Sequence, residues 1–110
     1  MAGSNISLVT GELRYVLSEV SFKKVGVLTD PTGDVVRWAF PLQGTALSAA
    51  TWYVCSWETV GTTYWARCLV GTTGTAGGDV TLAAGAYDAY VKITDNPEAP
   101  IEYVGVVTVR

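Results

Sequence analysis

Apolar and polar residues alternate along most of this chain, and a period of two is the mark of strands with one buried face. The alternation predicts strands over Ile6–Thr10, Leu13–Phe22, Val35–Phe40, Thr51–Glu58, Thr63–Val70, Val80–Ala83, Tyr87–Thr94 and Glu102–Val109. Turn chemistry separates them. Asp30-Pro31-Thr32-Gly33 has Pro second and Gly fourth, as a type I turn prefers. Gly71–Asp79 reads as a flexible Gly/Thr loop and Asp95–Pro100 as a stiff one. About seven to nine short strands at this spacing predict one all-β domain over Met1–Arg110, a sandwich or barrel.

The C-terminal stretch from Leu82 to Arg110 narrows the choice. It reads as two long strands around the proline-bearing loop, entered through Leu82-x-x-Gly85-x-Tyr87. That spacing suits a tyrosine corner, in which a Tyr at the start of a strand bonds back to upstream backbone at the edge of a sandwich. Leu82, Gly85 and Tyr87 are therefore expected to be structural, and the fold to be an immunoglobulin-like β-sandwich of antiparallel strands. Strand order stays open, because Leu13–Phe22 can be read as one bent strand crossing between sheets.

A two-residue turn at Gly61-Thr62, with Gly first as type II′ prefers, sets the register of the middle hairpin. Val60 then faces Thr63, and Cys55 falls opposite Cys68 in a non-hydrogen-bonded position, where side chains sit closest. Tyr53, Cys55, Trp57, Tyr64, Ala66, Cys68 and Val70 line the expected core face. Trp52, Val54, Ser56, Glu58, Trp65, Arg67 and Leu69 line the other, with Glu58 and Arg67 in diagonal reach of an ion pair. A slip of one residue would invert both faces.

Composition removes several kinds of function. Hydrophobic residues make up 49% of the chain, enough for one packed core. The seven basic residues are scattered and the net charge is −3, so the basic stripe that nucleic acid requires is missing. No apolar run is long enough to span a bilayer, and the N-terminus lacks the charged start and apolar run of a secretory signal. The expectation is a protein made and used without export. Histidine is absent, which removes the commonest general base and metal ligand. No Gly-rich phosphate loop precedes a helix, because Gly71–Gly78 has no Lys. No catalytic residue, cofactor or metal is expected.

Cys55 and Cys68 are too few for a zinc site without histidine, and no Cys-x-x-Cys occurs. The reading for a cytosolic product is two reduced thiols packed as small hydrophobes, with a cross-strand disulfide as the alternative. Asp30, Asp34, Asp95, Asn96 and Glu98 lack calcium-ligand spacing and serve turns instead. Most of the four tryptophans and six tyrosines belong to the core. Trp52 and Trp65, on the more polar hairpin face, are the pair expected to meet a partner.

The order NISLVTGELRYVL, TDPTGDVVRWAFPL, a Trp-rich segment with SWET and ARCLVG, then LAAGAYDAYVKITDNPEAPIEYVG resembles small immunoglobulin-like virion proteins of tailed bacteriophages and prophages, notably those of actinobacteria. The resemblance spans nearly the whole chain. Its most particular pieces are Ala66–Gly71 and Val91–Pro100. It implies a non-enzymatic structural part of the virion, assembled in the bacterial cytoplasm, and brings no catalytic motif.

A capsid decoration or minor capsid protein bound to the major capsid protein is the favoured place, since the chain is one bare domain without a coiled coil. A tail or baseplate module is the alternative, and self-association is compatible with both. Contact is expected through Trp52, Trp65 and the stiff loop with Pro97, Glu98 and Pro100, which would lose little entropy on docking. Met1–Thr10 is expected as an arm that orders only on its partner. A carbohydrate-binding module is the further alternative and would need coplanar exposed rings.

Overall fold

Thr63–Thr72 and Gly85–Thr94 show how alternation becomes burial. In the first, Ala66, Cys68 and Val70 are buried while Trp65, Arg67 and Leu69 are partly exposed. In the second, Tyr87, Ala89, Val91 and Ile93 are buried while Asp88, Tyr90, Lys92 and Thr94 face outward. The structure, a computed structural model, describes residues 5–9, 11–20, 22–24, 27–29, 34–61, 63–74, 77–94 and 101–110. Its strands are β1 (Ile6–Leu8), β2 (Leu13–Val20), β3 (Phe22–Lys24), β4 (Val27–Thr29), β5 (Val35–Ala39), β6 (Trp52–Val54), β7 (Ser56–Val60), β8 (Thr63–Thr72), β9 (Val80–Leu82), β10 (Gly85–Thr94) and β11 (Ile101–Val109).

A five-stranded sheet, ordered β1-β11-β10-β5-β6, packs on a four-stranded one in which β2-β8-β7 are neighbours and β9 pairs with β8. β3 and β4 form a separate hairpin. The order β11-β10-β5-β6 is that of strands G, F, C and C′ in a variable-type immunoglobulin sandwich, and β2-β8-β7 is that of B, E and D. The fold is thus the expected all-β sandwich. Val16, Val20, Ala66, Cys68 and Val70 from one sheet share a single core with Leu8, Val36, Trp38, Val91 and Val107 from the other. Trp38 lies at its centre, stacked on Phe40 at 5.9 Å between ring centroids. Its buried Nε1 has no hydrogen-bond partner among the described residues. An unmet donor costs about 1–3 kcal/mol, less than the roughly 4–6 kcal/mol gained by burying so large a ring.

The hairpin register is as expected. Val60 pairs with Thr63 and Ser56 with Arg67, and Gly61 takes φ of +60° in the turn; Thr62 lies outside the described residues.

Four expectations are corrected. Not every strand is antiparallel, because β1 runs parallel to β11 and β9 parallel to β8. Ile6–Leu8 is no arm awaiting a partner: it pairs with Val107–Val109, and Leu8 is fully buried. Its short apolar run completes the sheet edge in cis. Leu13–Phe22 does not cross between sheets, since β2 stops at Val20 and β3 turns into the β3–β4 hairpin.

The segment that crosses is Thr51–Glu58, where β6 pairs with β5 and β7 with β8. Cys55 is the crossing residue. Its N–H still bonds the Val36 carbonyl of the first sheet at 3.0 Å, and the next residue enters the second sheet. Tyr53 consequently leaves the core and is exposed. The Asp30–Gly33 turn and the Asp95–Pro100 loop lie outside the described residues.

The tyrosine corner is present. The Tyr87 hydroxyl donates to the Ala83 carbonyl at 2.8 Å, and Leu82 is buried beneath it. Gly85 has φ of +152°, and a Cβ there would sit 3.4 Å from Leu42 Cδ2. Leu42 is held by a bridge to Tyr87, flanked by bonds from Gln43 N to the Ala86 carbonyl and from Asp88 N to the Pro41 carbonyl. Tyr87→Phe is expected to destabilise the domain by about 1 kcal/mol, the net worth of one neutral hydrogen bond. Gly85→Ala adds strain and crowding and is expected to cost about 1–3 kcal/mol. Urea unfolding with an unchanged slope tests both, and wild-type midpoints would refute the structural role given to this corner.

Candidate functional site

Because each sheet buries one face, chemistry exposed to partners collects on the two outer faces and along the lateral edges. On the five-stranded sheet, register aligns one residue from each of four strands: Tyr103 pairs with Tyr90, Tyr90 with Ala39, and Ala39 with Trp52. The tyrosine rings are 5.4 Å apart and tilted by 60°. Ala39 shares the side of Arg37 yet is fully buried, flanked in register by Tyr90 and Trp52. Lys92 Nζ sits 4.3 Å from the centroid of the Trp52 ring, a cation–π contact that occupies one ring face. Arg37 donates to Thr94 Oγ1 at 3.2 Å. Around this row Val54 is 63% exposed, Ile101 48% and Tyr103 41%, and Lys92 and Arg37 lie in register between Ile101 and Val54. Partial desolvation, then the Asp88 charge, raises the Tyr103 phenol above its ordinary value; its hydroxyl points at Asp88 Oδ1 from 3.5 Å.

On the four-stranded sheet Arg67 is the hub. Its guanidinium lies 4.8 Å from the centroid of the Tyr15 ring, Nε donates to Ser56 Oγ at 3.0 Å, and Nη1 meets Glu58 Oε1 at 3.3 Å. The diagonal Glu58–Arg67 pair is the one the hairpin register predicts. Leu13, Tyr15 and Leu17 project from β2 at alternate positions, each more than a third exposed.

A third feature lies on the lateral edge where the chain changes sheets. Cys55 Sγ, Cys68 Sγ and an Asp79 carboxylate oxygen are all within 4.8 Å of one another. Both cysteines are free thiols. Cys68 is fully buried, and Cys55 donates weakly to the Tyr53 carbonyl at 3.4 Å. Asp79 grips the exposed edge of β8 twice: Oδ2 accepts from Leu69 N at 2.9 Å, and its own N–H donates to the Leu69 carbonyl at 2.7 Å. The hydrogen bond with Cys55, then burial, then the nearby charges push the Cys68 thiol well above its ordinary pKa. Cys68 is therefore a poor nucleophile, since the thiolate is the reactive form. An open cleft of about 290 Å³ between Leu42, Thr45, Tyr53 and Leu82 gathers no charged side chain.

Trp52 and Trp65 do not share a face. Trp52 belongs to the five-stranded sheet and Trp65, opposite Glu58 and Glu19, to the other. Pro97, Glu98 and Pro100, with Asp30, Asp95 and Asn96, lie outside the described residues. Asp34 is described, and its carbonyl accepts from Trp57 Nε1 at 3.0 Å. Cys55 and Cys68 do come together, as the register implied.

Sequence reading missed Tyr90, Tyr103, Tyr15 and Asp79. The tyrosines were within reach, because alternation along Tyr87–Thr94 already places Tyr90 outward. Asp79 had no local signal, since its partners come from β8 and from the crossing point.

Arg67 supplies the prediction for this surface. Its contacts to Tyr15 and Glu58 are partly exposed, so each should be worth about 0.5–1 kcal/mol. A double-mutant cycle of Tyr15→Ala and Arg67→Ala, read by urea unfolding, is expected to show coupling of that size that persists in salt. A coupling of zero would make the stacking incidental.

No protein-family model, curated protein or solved structure matches the chain.

Proposed function

We propose that this protein is a non-enzymatic structural component of a tailed-bacteriophage virion, placed on the capsid as a decoration or minor capsid protein. The observation that carries this reading is that both outer faces carry exposed apolar side chains. Leu13, Tyr15 and Leu17 are exposed on one side of the sandwich, and Val54, Ile101 and Tyr103 on the other. Exposed apolar side chains on both outer faces of a sandwich suit contact with other proteins. A subunit bracing neighbouring capsomers, or stacked within a tail or baseplate, has such neighbours on more than one side. Many copies on one particle give avidity even when each contact is weak. The sequence resemblance to phage virion proteins supplies the setting, and the acidic balance suits a shell protein that does not adhere to DNA.

The carbohydrate-binding alternative is weaker. Stacking on sugars needs open, coplanar rings, whereas Trp52 has Lys92 on one face and the Tyr90 and Tyr103 rings are tilted by 60°.

Purified protein added to virions or capsids lacking it and imaged by electron microscopy tests the reading. Regular added density on the shell is the expected result. Tyr103→Glu with Val54→Glu, or Tyr15→Glu with Leu17→Glu, should weaken binding by about tenfold or more for whichever face docks. Density confined to the tail would transfer the assignment there. Absence of binding to any virion part would overturn it.

A further inference from the structure

We propose that Cys55, Cys68 and Asp79 form a binding site for a thiophilic divalent cation of the Zn²⁺ class. Two thiols alone are a poor zinc site, as the sequence suggests. The fold adds a carboxylate from a loop that no sequence spacing links to them, and all three ligand atoms lie within 4.8 Å of one another. Tetrahedral zinc with Zn–S bonds of about 2.3 Å sets its sulfurs about 3.8 Å apart, so closure needs movements of about 1 Å or less. Side-chain rotation supplies that.

The backbone is already fixed at each ligand. Cys55 N–H is held by Val36, Cys68 is paired within β8 opposite Val16, and Asp79 is bonded twice to Leu69. The Leu69 N–H also orients the carboxylate, as an outer-shell donor does in known metal sites. Cys68 closes the inner side, while Cys55 is half-buried and Asp79 exposed, leaving a solvent-facing fourth position for water. The contacts given up are the weak 3.4 Å one from Cys55 to the Tyr53 carbonyl and the thiol–thiol hydrogen bond between Cys55 and Cys68.

Binding is not a redox step. Each S–H bond breaks, the two protons pass to water, and each sulfur donates an electron pair to the cation. Two thiolates and one carboxylate around a divalent ion leave the site with one negative charge. Proton release makes binding tighten as pH rises.

A disulfide would use the same sulfurs but has no use for Asp79. A carboxylate that only caps Leu69 would be indifferent to the thiols. The substitutions below separate these cases.

The full chain, kept reduced, is titrated with Co²⁺ as an optical probe for Zn²⁺. The expected result is saturable thiolate-to-cobalt charge transfer with the intense visible bands of a tetrahedral site, displaced by Zn²⁺, and a melting temperature that rises with Zn²⁺. Cys55→Ala should abolish the charge-transfer signal. Asp79→Asn keeps an oxygen for the Leu69 N–H and should lower affinity by roughly tenfold or more. Circular dichroism confirms that both variants fold. No charge transfer in the folded wild type would overturn the site, and so would a signal that survives Cys55→Ala or an affinity unchanged by Asp79→Asn.

Discussion

Two sheets that each bury one face must keep their alternation in register, and the rest of this molecule depends on that constraint. Along β8, Ala66, Cys68 and Val70 meet the core while Trp65, Arg67 and Leu69 meet solvent. A shift of one residue would bury the Arg67 charge and expose the apolar set, at a cost of several kcal/mol for the charge alone. The Gly61 turn sets this register from one end and the pairing of β2 with β8 from the other. Along β10 the Tyr87 corner does the same for the opposite sheet.

The second organising feature is the sheet change at Cys55. One backbone cannot serve both sheets beyond a single residue, because the strand must turn from the hydrogen-bonding plane of one into that of the other. A small side chain suits this position, and the bond from Cys55 N to the Val36 carbonyl is the last made to the first sheet. The turn leaves the edge of β8 uncovered between Arg67, the last partner of β7, and Val70, the first partner of β9. Asp79 fills that gap through Leu69. The crossing thus explains why a loop carboxylate comes to lie beside two cysteines, one just beyond the end of the β7–β8 pairing and one in β8.

Most of the fold was legible because it rests on alternation and on local turn chemistry. The Leu82–Tyr87 corner, the Val60–Thr63 register and the Glu58–Arg67 ion pair follow from spacing alone. The sheet change did not follow, since Thr51–Glu58 holds no Gly or Pro to mark a break. The one hint was Trp52-Tyr53-Val54, three large residues in succession where a half-buried strand should alternate. Its consequence was large: Tyr53 went to solvent, and Trp52 went to the opposite side of the domain from Trp65. The parallel pairs of β1 with β11 and β9 with β8 were likewise hidden, because parallel partners sit far apart in the chain and carry no turn signal between them.

The outer faces show what the fold leaves for function. Both use a long cation to cover an aromatic ring: Lys92 over Trp52 on one side and Arg67 over Tyr15 on the other. Such pairing shields ring area from water without removing it from a partner's reach, because the cation sits on a flexible stem that can swing aside. The two faces differ in rigidity. Arg67 is tied to Ser56 and Glu58 as well as to Tyr15, so uncovering that ring breaks several contacts at once. Arg37, the neighbour of Lys92 on the opposite sheet, spends its hydrogen bond on Thr94 rather than on an aromatic ring. Among the described residues, the Trp52 ring on the five-stranded face is therefore covered by a cation with fewer ties than the one over Tyr15.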